Sequence, residues 1–92
     1  MDKKIIREII TSVLNKKQYG FVRNFMNKDL NMLLNQTHDL KTYVGRLSEK
    51  HRILKNLSNI NHGLLDRGGD TMTAHAAASV CDEVLTELKK LS

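Results

Sequence analysis

The sequence predicts an all-α domain of three or four helices, with a long third helix and a C-terminal antiparallel helical hairpin. The chain contains no proline, and its apolar residues are mostly Leu, Ile, Val, Ala and Met, which favour helices over a sheet. These residues also recur at intervals of three and four, the period of a helix that buries one face. With 92 residues, we expect one domain, residues 1–92, whose small core would gain from association as a homodimer or higher oligomer.

The first helix is predicted over residues 3–16. Asp2 is placed to cap its start, and Lys16 and Lys17 suit the negative end of the helix dipole, with Gly20 as a stop. Its wide apolar face consists of Ile5, Ile6, Ile9, Ile10, Val13 and Leu14.

A second helix is predicted over residues 21–36. Its apolar residues are Phe21, Val22, Phe25, Met26, Leu30, Leu33 and Leu34. We expect Phe21 and Phe25 to lie in the core, the alternative being a platform on which nucleic-acid bases stack.

The third helix, residues 37–65, is predicted to be roughly 28 residues or ~42 Å long. Thr37 is expected to cap its start, although no Gly or Pro separates it from the second helix, so the two could also be continuous. One apolar stripe consists of Leu40, Tyr43, Val44, Leu47 and Leu54, with His51 less apolar among them. A second stripe, about a quarter-turn away, consists of Ile53, Leu57, Ile60 and Leu64.

The hairpin is predicted from the break at residues 66–70, where Gly68 and Gly69 suit a turn that needs positive φ. The last helix is expected over residues 71–91, with a seam formed by Ala74, Ala77, Cys81, Val84, Leu88 and Leu91. The second stripe of the third helix, together with Leu54, is expected to pack on this seam. The first stripe is left for the first two helices or for a second subunit.

The charge is concentrated in the N-terminal two-thirds of the chain. Up to Ile60, twelve Lys or Arg stand against five Asp or Glu, a net +7, whereas the remainder carries three against five, a net −2. A positive field favours encounters with polyanions or acidic proteins. Charges within the first eight residues argue against a secretory signal or a membrane span, and the lone Cys81 fits a reducing cytoplasm.

The candidate nucleic-acid-binding residues form a polar face on the third helix. Lys41, Arg52 and Lys55 lie there with Asn56 and Asn59, and Lys16, Lys17 and Arg23 would extend the face. Such residues contact phosphates without reading sequence. The first hypothesis is therefore a small non-enzymatic regulatory or accessory protein that binds nucleic acid, with RNA slightly favoured over DNA.

The alternative is a protein-interaction module, such as a phage-like inhibitor or adaptor, which docks an acidic surface of a larger protein in the cytoplasm, the host's if a phage encodes it. A third hypothesis comes from Arg46 and His51. Their Arg-x4-His spacing resembles the motif of HEPN-type ribonucleases, in which Arg and His of two subunits meet at a dimer interface and cleave RNA. The resemblance covers six residues and lacks the polar residue that usually follows the Arg.

Other chemistry has little support in the sequence. The cluster of Asp82, Glu83 and Glu87 fits a solvated helix face better than a pair of catalytic acids. No His-Glu-x-x-His, Gly-x-Ser-x-Gly or phosphate-binding glycine motif is present, and a helix-turn-helix alignment on Gly20 puts Lys16 at a core position. We therefore predict no catalytic residue, no metal site and no cofactor.

Overall fold

The computed structural model describes the backbone of residues 1–64 and 68–91, and the side chains of residues 1–59 and 72–91. Throughout the described backbone the regular structure is helical, which confirms the predicted all-α class. The elements are α1 (Lys3–Leu14), a 3₁₀ turn (Lys17–Tyr19), α2 (Arg23–Asn35), α3 (Leu40–Leu64) and α4 (Gly68–Lys89). None of the helices, within the described residues, combines the length and apolar character needed to cross a bilayer.

α1 begins where the sequence predicts and ends two residues early. The carboxylate of Asp2 accepts hydrogen bonds from the backbone N–H groups of Lys4 (3.0 Å) and Ile5 (3.3 Å), so this cap is confirmed. At the other end, Arg23 donates from Nε to the Leu14 carbonyl (2.7 Å). A cation thus satisfies one of the carbonyls exposed at the helix end.

α2 begins at Arg23, two residues later than predicted, and its two phenylalanines lie outside the core. Phe21 is 57% exposed and Phe25 is 41% exposed, so the prediction that they are core residues was wrong. Tyr19 and Val22 occupy the core at this corner instead. Val22 starts a four-residue spacing that continues through buried Met26, Leu30 and Leu34, and this spacing turns Phe21 and Phe25 to the opposite side.

A short loop separates α2 from α3, so the two helices are not continuous. Thr37 is buried and does not cap α3, because its hydroxyl donates to the carbonyls of Leu33 (3.1 Å) and Leu34 (3.0 Å) and thereby closes α2. At the start of α3, the Asp39 carboxylate accepts a hydrogen bond from the backbone N–H of Thr42 (2.7 Å). This bond and the Thr42 hydroxyl hold the pKa of Asp39 below its usual range.

α3 and α4 pack closely as the predicted hairpin. The start of α3 lies against the end of α4, since Leu40 and Val44 line one recess together with Leu88. α4 begins at Gly68, so Gly68 and Gly69 belong to its first turn rather than to a preceding glycine turn, and the helix starts three residues before the predicted Thr71. Residues 65–67, in the predicted break, lie outside the described residues.

The apolar stripe of α3 that enters the core is the first, not the second. Tyr43 and Leu47 are fully buried, whereas Ile53 is 47% exposed and Leu57 is 45% exposed, which corrects the predicted hairpin seam. The Tyr43 hydroxyl donates a hydrogen bond to the Leu30 carbonyl (3.1 Å) and so connects α3 to α2. Tyr43 thus contacts α2, whereas the neighbouring Leu40 and Val44 lie beside α4. The predicted seam residues Ile60 and Leu64 have side chains outside the described residues.

Candidate nucleic-acid interface

The corner where the 3₁₀ turn meets α2 presents an aromatic and basic surface. We call it the corner surface and define it by five exposed residues: Lys17, Phe21, Asn24, Phe25 and Lys28. None of these side chains makes a hydrogen bond or ion pair with another described residue. The segment from residue 15 to residue 28 contains no Asp or Glu. Two exposed aromatic side chains four residues apart are thus flanked in sequence by two lysines, with Asp29 directly after Lys28.

Contacts with α4 hold this corner in place. Tyr19 is 4% exposed, and its hydroxyl donates to the Glu83 carboxylate, which also pairs with Lys16. Burial raises the pKa of Tyr19, and the hydrogen bond to Glu83 raises it further. The tyrosine therefore stays a neutral donor at physiological pH and anchors the 3₁₀ turn beneath the exposed phenylalanines.

Glu83 remains charged in this position. Partial burial acts to raise its pKa, but the hydrogen bonds from Lys16 and Tyr19 outweigh that effect and leave the pKa below its ordinary value. The same pairing raises the pKa of Lys16. Lys16, a predicted binding residue, therefore contributes to the attachment of the corner to α4, and its charge is partly neutralised.

Arg23, another predicted binding residue, is also engaged by the fold. Besides its bond to Leu14, its Nη2 lies 3.4 Å from the Lys16 carbonyl. It lines a polar recess of about 210 Å³ next to the corner surface, with Asn24 shared between the two. The other residues of this recess are Thr11, Leu14, Asn15 and Asn27. Amide groups and a guanidinium at such a recess can donate to the edge of a base or to a phosphate.

The start of α2 adds a second feature that favours anions. No side chain caps this helix at Val22, in contrast to α1 with its Asp2 cap. The first N–H groups of a helix point out of its N-terminus, where the helix dipole favours negative charge. These groups lie in the turn that carries Phe25, so a phosphate near the corner surface would meet a favourable field.

The predicted face on α3 is exposed, but one of its cations is paired. Four side chains of this face are exposed and make no hydrogen bond or ion pair within the described residues: Lys41, Lys55, Asn56 and Asn59. Arg52 pairs with Glu49, and its Nε lies 3.2 Å from the carboxylate. This bond lowers the pKa of Glu49. The α3 face therefore offers two unpaired lysines and two amides, without an aromatic group.

The two groups of predicted residues do not form one continuous patch. Lys16 lies beside Glu83 of α4, whereas Lys41 shares a recess with Lys89 of that helix. Positions six residues apart in a helix point about 120° away from each other. The corner group consists of Lys16, Lys17 and Arg23, and the α3 group consists of the predicted residues on α3. The two groups therefore lie on different sides of α4.

The remaining candidate chemistry does not converge in the protomer. Arg46 and His51, five residues apart on α3, project about 140° away from each other. Among the described residues, no three metal-ligating side chains cluster together. Cys81 is buried, and burial raises the pKa of its thiol to about 12, so it is a core residue and not an activated nucleophile.

Sequence reasoning overlooked Lys28 and misplaced the two phenylalanines. The available signal was the unbroken four-residue spacing from Val22 to Leu34, which leaves positions 21, 25 and 28 on the outer side of α2. Large apolar residues on both sides of a short helix obscured that signal. Comparison with protein-family models, curated proteins and solved structures found no match.

Proposed function

We propose that this chain is a small non-enzymatic accessory or regulatory protein that binds single-stranded nucleic acid at the corner surface. The observation that supports this function is the exposure of Phe21 and Phe25, four residues apart, between Lys17 and Lys28 in the sequence. Bases stack on exposed aromatic rings, and flanking lysines bind the phosphates that connect them. Adjacent exposed apolar side chains mark interaction surfaces more often than scattered ones do.

The surroundings of the corner surface favour a strand that is not base-paired. Stacking requires the face of a base, which a duplex hides between its neighbouring base pairs. The polar recess beside Arg23 and Asn24 supplies donors for an unpaired base edge. RNA is the first ligand to test, because proteins that recognise RNA mostly bind unpaired loops and ends.

A second candidate function is the docking of an acidic protein surface on α3. Lys41 and Lys55 favour it, since both are exposed and neither has a partner within the described residues. The absence of an aromatic group among the face residues Lys41, Arg52, Lys55, Asn56 and Asn59 makes this face less suited to bases than the corner surface. Here the attraction would be electrostatic and would act mainly on the association rate.

The two functions are separated by fluorescence anisotropy with labelled oligouridine, oligothymidine and a duplex of equal length. The double variant Phe21→Ala/Phe25→Ala is expected to lose at least about tenfold in affinity for the single strands, since each stacked base contributes about 1–3 kcal/mol. The matched control is Lys41→Ala/Lys55→Ala, which should retain most of the affinity if the corner surface is the site.

The salt dependence provides a second readout. Lys17→Ala/Lys28→Ala is expected to flatten the slope of log affinity against log salt by about 1.4, since each phosphate contact on a single strand contributes about 0.7. Wild-type protein that binds none of the three nucleic acids at low salt would contradict the proposal. Loss of affinity only in the Lys41 and Lys55 variant would instead move the site to α3.

A further inference from the structure

A groove lies between α2 and α3, separate from the corner surface. It measures about 430 Å³ and is open to solvent. Its apolar floor is formed by Met32 and Leu33 of α2 and by Ile53 and Leu54 of α3. Met32 is 50% exposed and Ile53 is 47% exposed. The groove therefore leaves large apolar side chains partly exposed to water. The core of this small domain has room for few such side chains.

Leu57 extends the apolar surface beyond the groove. It follows Ile53 by one helical turn and is 45% exposed. Half-exposed side chains of this size, together with Leu33 and Leu54, present on the order of 300 Å² of apolar surface, as large as the main patch of many monomers. The main apolar patch of a monomer is often functional.

The charges around the groove cancel. Lys50 lies 3.4 Å from Asp29 across it, and Arg46 and Glu49 stand on its α3 side. These four residues carry two positive and two negative charges, whereas the whole chain carries +5. An acidic partner would be attracted to the lysine-bearing surfaces rather than to this neutral groove. Two like-charged copies of the chain, in contrast, approach each other most easily where the charge is balanced.

We propose that this groove binds a second copy of the chain, so that the α2 and α3 pairs of two protomers form a four-helix bundle around a two-fold axis. A two-fold contact requires a surface that is complementary to itself, with both signs of charge around an apolar centre. The Arg46 side chain makes no hydrogen bond or ion pair within the described residues. In the dimer it meets Glu49 or Asp29 of the second copy, which within one protomer pair with Arg52 and Lys50.

The small size of the domain favours pairing through the groove. A domain of 92 residues buries a smaller fraction of its surface than a larger one does. Pairing through the groove adds a second small core to the first.

The test is the mass of the protein in solution, measured by light scattering after chromatography over roughly 1–100 μM, with nucleic acid removed beforehand. The wild type is expected to reach twice the 10.5 kDa protomer mass. Ile53→Asp and, independently, Met32→Asp are expected to return it to the protomer mass, because each places a charge in the apolar contact. Both positions are half exposed, so helical content measured by circular dichroism should stay unchanged.

Matched controls separate this inference from the proposed function. Leu91→Asp introduces the same charge at an apolar side chain that is 49% exposed outside the groove, and it should leave the dimer intact. Phe21→Ala/Phe25→Ala should also remain dimeric. A wild type that stays at the protomer mass throughout, or a dimer that survives both groove variants, would overturn the inference whatever the nucleic-acid measurements give.

Discussion

α1 and α2 are nearly equal in length, 12 and 13 residues, yet they present different surfaces to solvent. α1 exposes one large apolar residue, Ile5 in its first turn, and the rest of its exposed side is polar: Lys4, Arg7, Glu8, Thr11 and Ser12. α2 exposes Phe25 and Met32 in separate turns, with Phe21 just before its start. α1 buries four residues and α2 buries three in the same core.

This difference indicates a division of roles. α1 has a capped start, a solvated outer face and a buried face fixed between its neighbours, as expected of an element that only stabilises the domain. α2 has an uncapped start, and its outer face borders both the corner surface and the groove. We infer that substitutions on the outer side of α2 mainly affect binding, whereas those on the inner side of either helix affect folding.

The largest expected effect is on the inner side of α1. Ile10 is fully buried, so Ile10→Ala should lower the free energy of unfolding by about 3 kcal/mol, through lost burial and the cavity that remains. Phe25→Ala on the outer side of α2, where the side chain is 41% exposed, should lower it by only about 1 kcal/mol. Urea titrations followed by circular dichroism measure both. Equal losses in the two variants would remove the distinction between the helices.

A smaller effect is expected at the attachment of the corner to α4. Glu83→Gln should lower stability by about 1 kcal/mol near pH 7, because the buried Tyr19 hydroxyl loses a charged acceptor. Since the pKa of Glu83 is lowered on folding, this stabilisation is present above the ordinary carboxyl pKa of about 4.3 and disappears as the pH falls through the lowered value.

The pH dependence of the difference between wild type and variant provides the measurement. Urea titrations at several pH values should show it constant above about pH 5 and shrinking below about pH 4. Glu87→Gln is the matched control, because that carboxylate makes an exposed pair with Lys90 and should cost little. A difference that persists unchanged into acid would assign the effect to packing rather than to charge.

The last comparison concerns the cap of α1, where the expected effect is no larger than that at Glu83. Asp2→Ala should cost about 1 kcal/mol, since two N–H groups of the first turn of α1 lose their acceptor. Asp82→Ala, on the exposed side of α4, should cost less than half as much, because no hydrogen bond of the Asp82 side chain is lost within the described residues. Thermal unfolding of the two variants compares them. If Asp2→Ala leaves the unfolding temperature unchanged, α1 is stabilised by packing alone.

Sequence reasoning predicted the helical class, the order of the helices and the Asp2 cap, and it left the number of helices at three or four. These features depend on local spacing and on hydrogen bonds between residues two or three apart. The prediction was wrong where two faces of one helix were both apolar. Ile53 and Leu57 on α3 are as apolar as Tyr43 and Leu47, so periodicity alone could not decide which pair would be buried.

The candidate site shows the same limit. Lys41, Lys55, Asn56 and Asn59 are exposed as polar residues on one helix face should be, because that placement follows from the period of α3. Arg23, in contrast, reaches back to carbonyls at the end of α1, and Lys16 pairs with Glu83, 67 positions away. Pairing over such separations depends on how the helices are arranged around each other.

The order of amino acids was therefore enough to establish that this protein is helical, where its main helices lie and that its N-terminal part carries the positive charge. These properties reside in composition and in the 3.6-residue period, which act within each helix. Tertiary structure alone decided that Phe21 and Phe25 face solvent and that Ile53 and Leu57 border an open groove. A helix with two apolar faces can bury either one, and the choice belongs to the neighbours that pack against it.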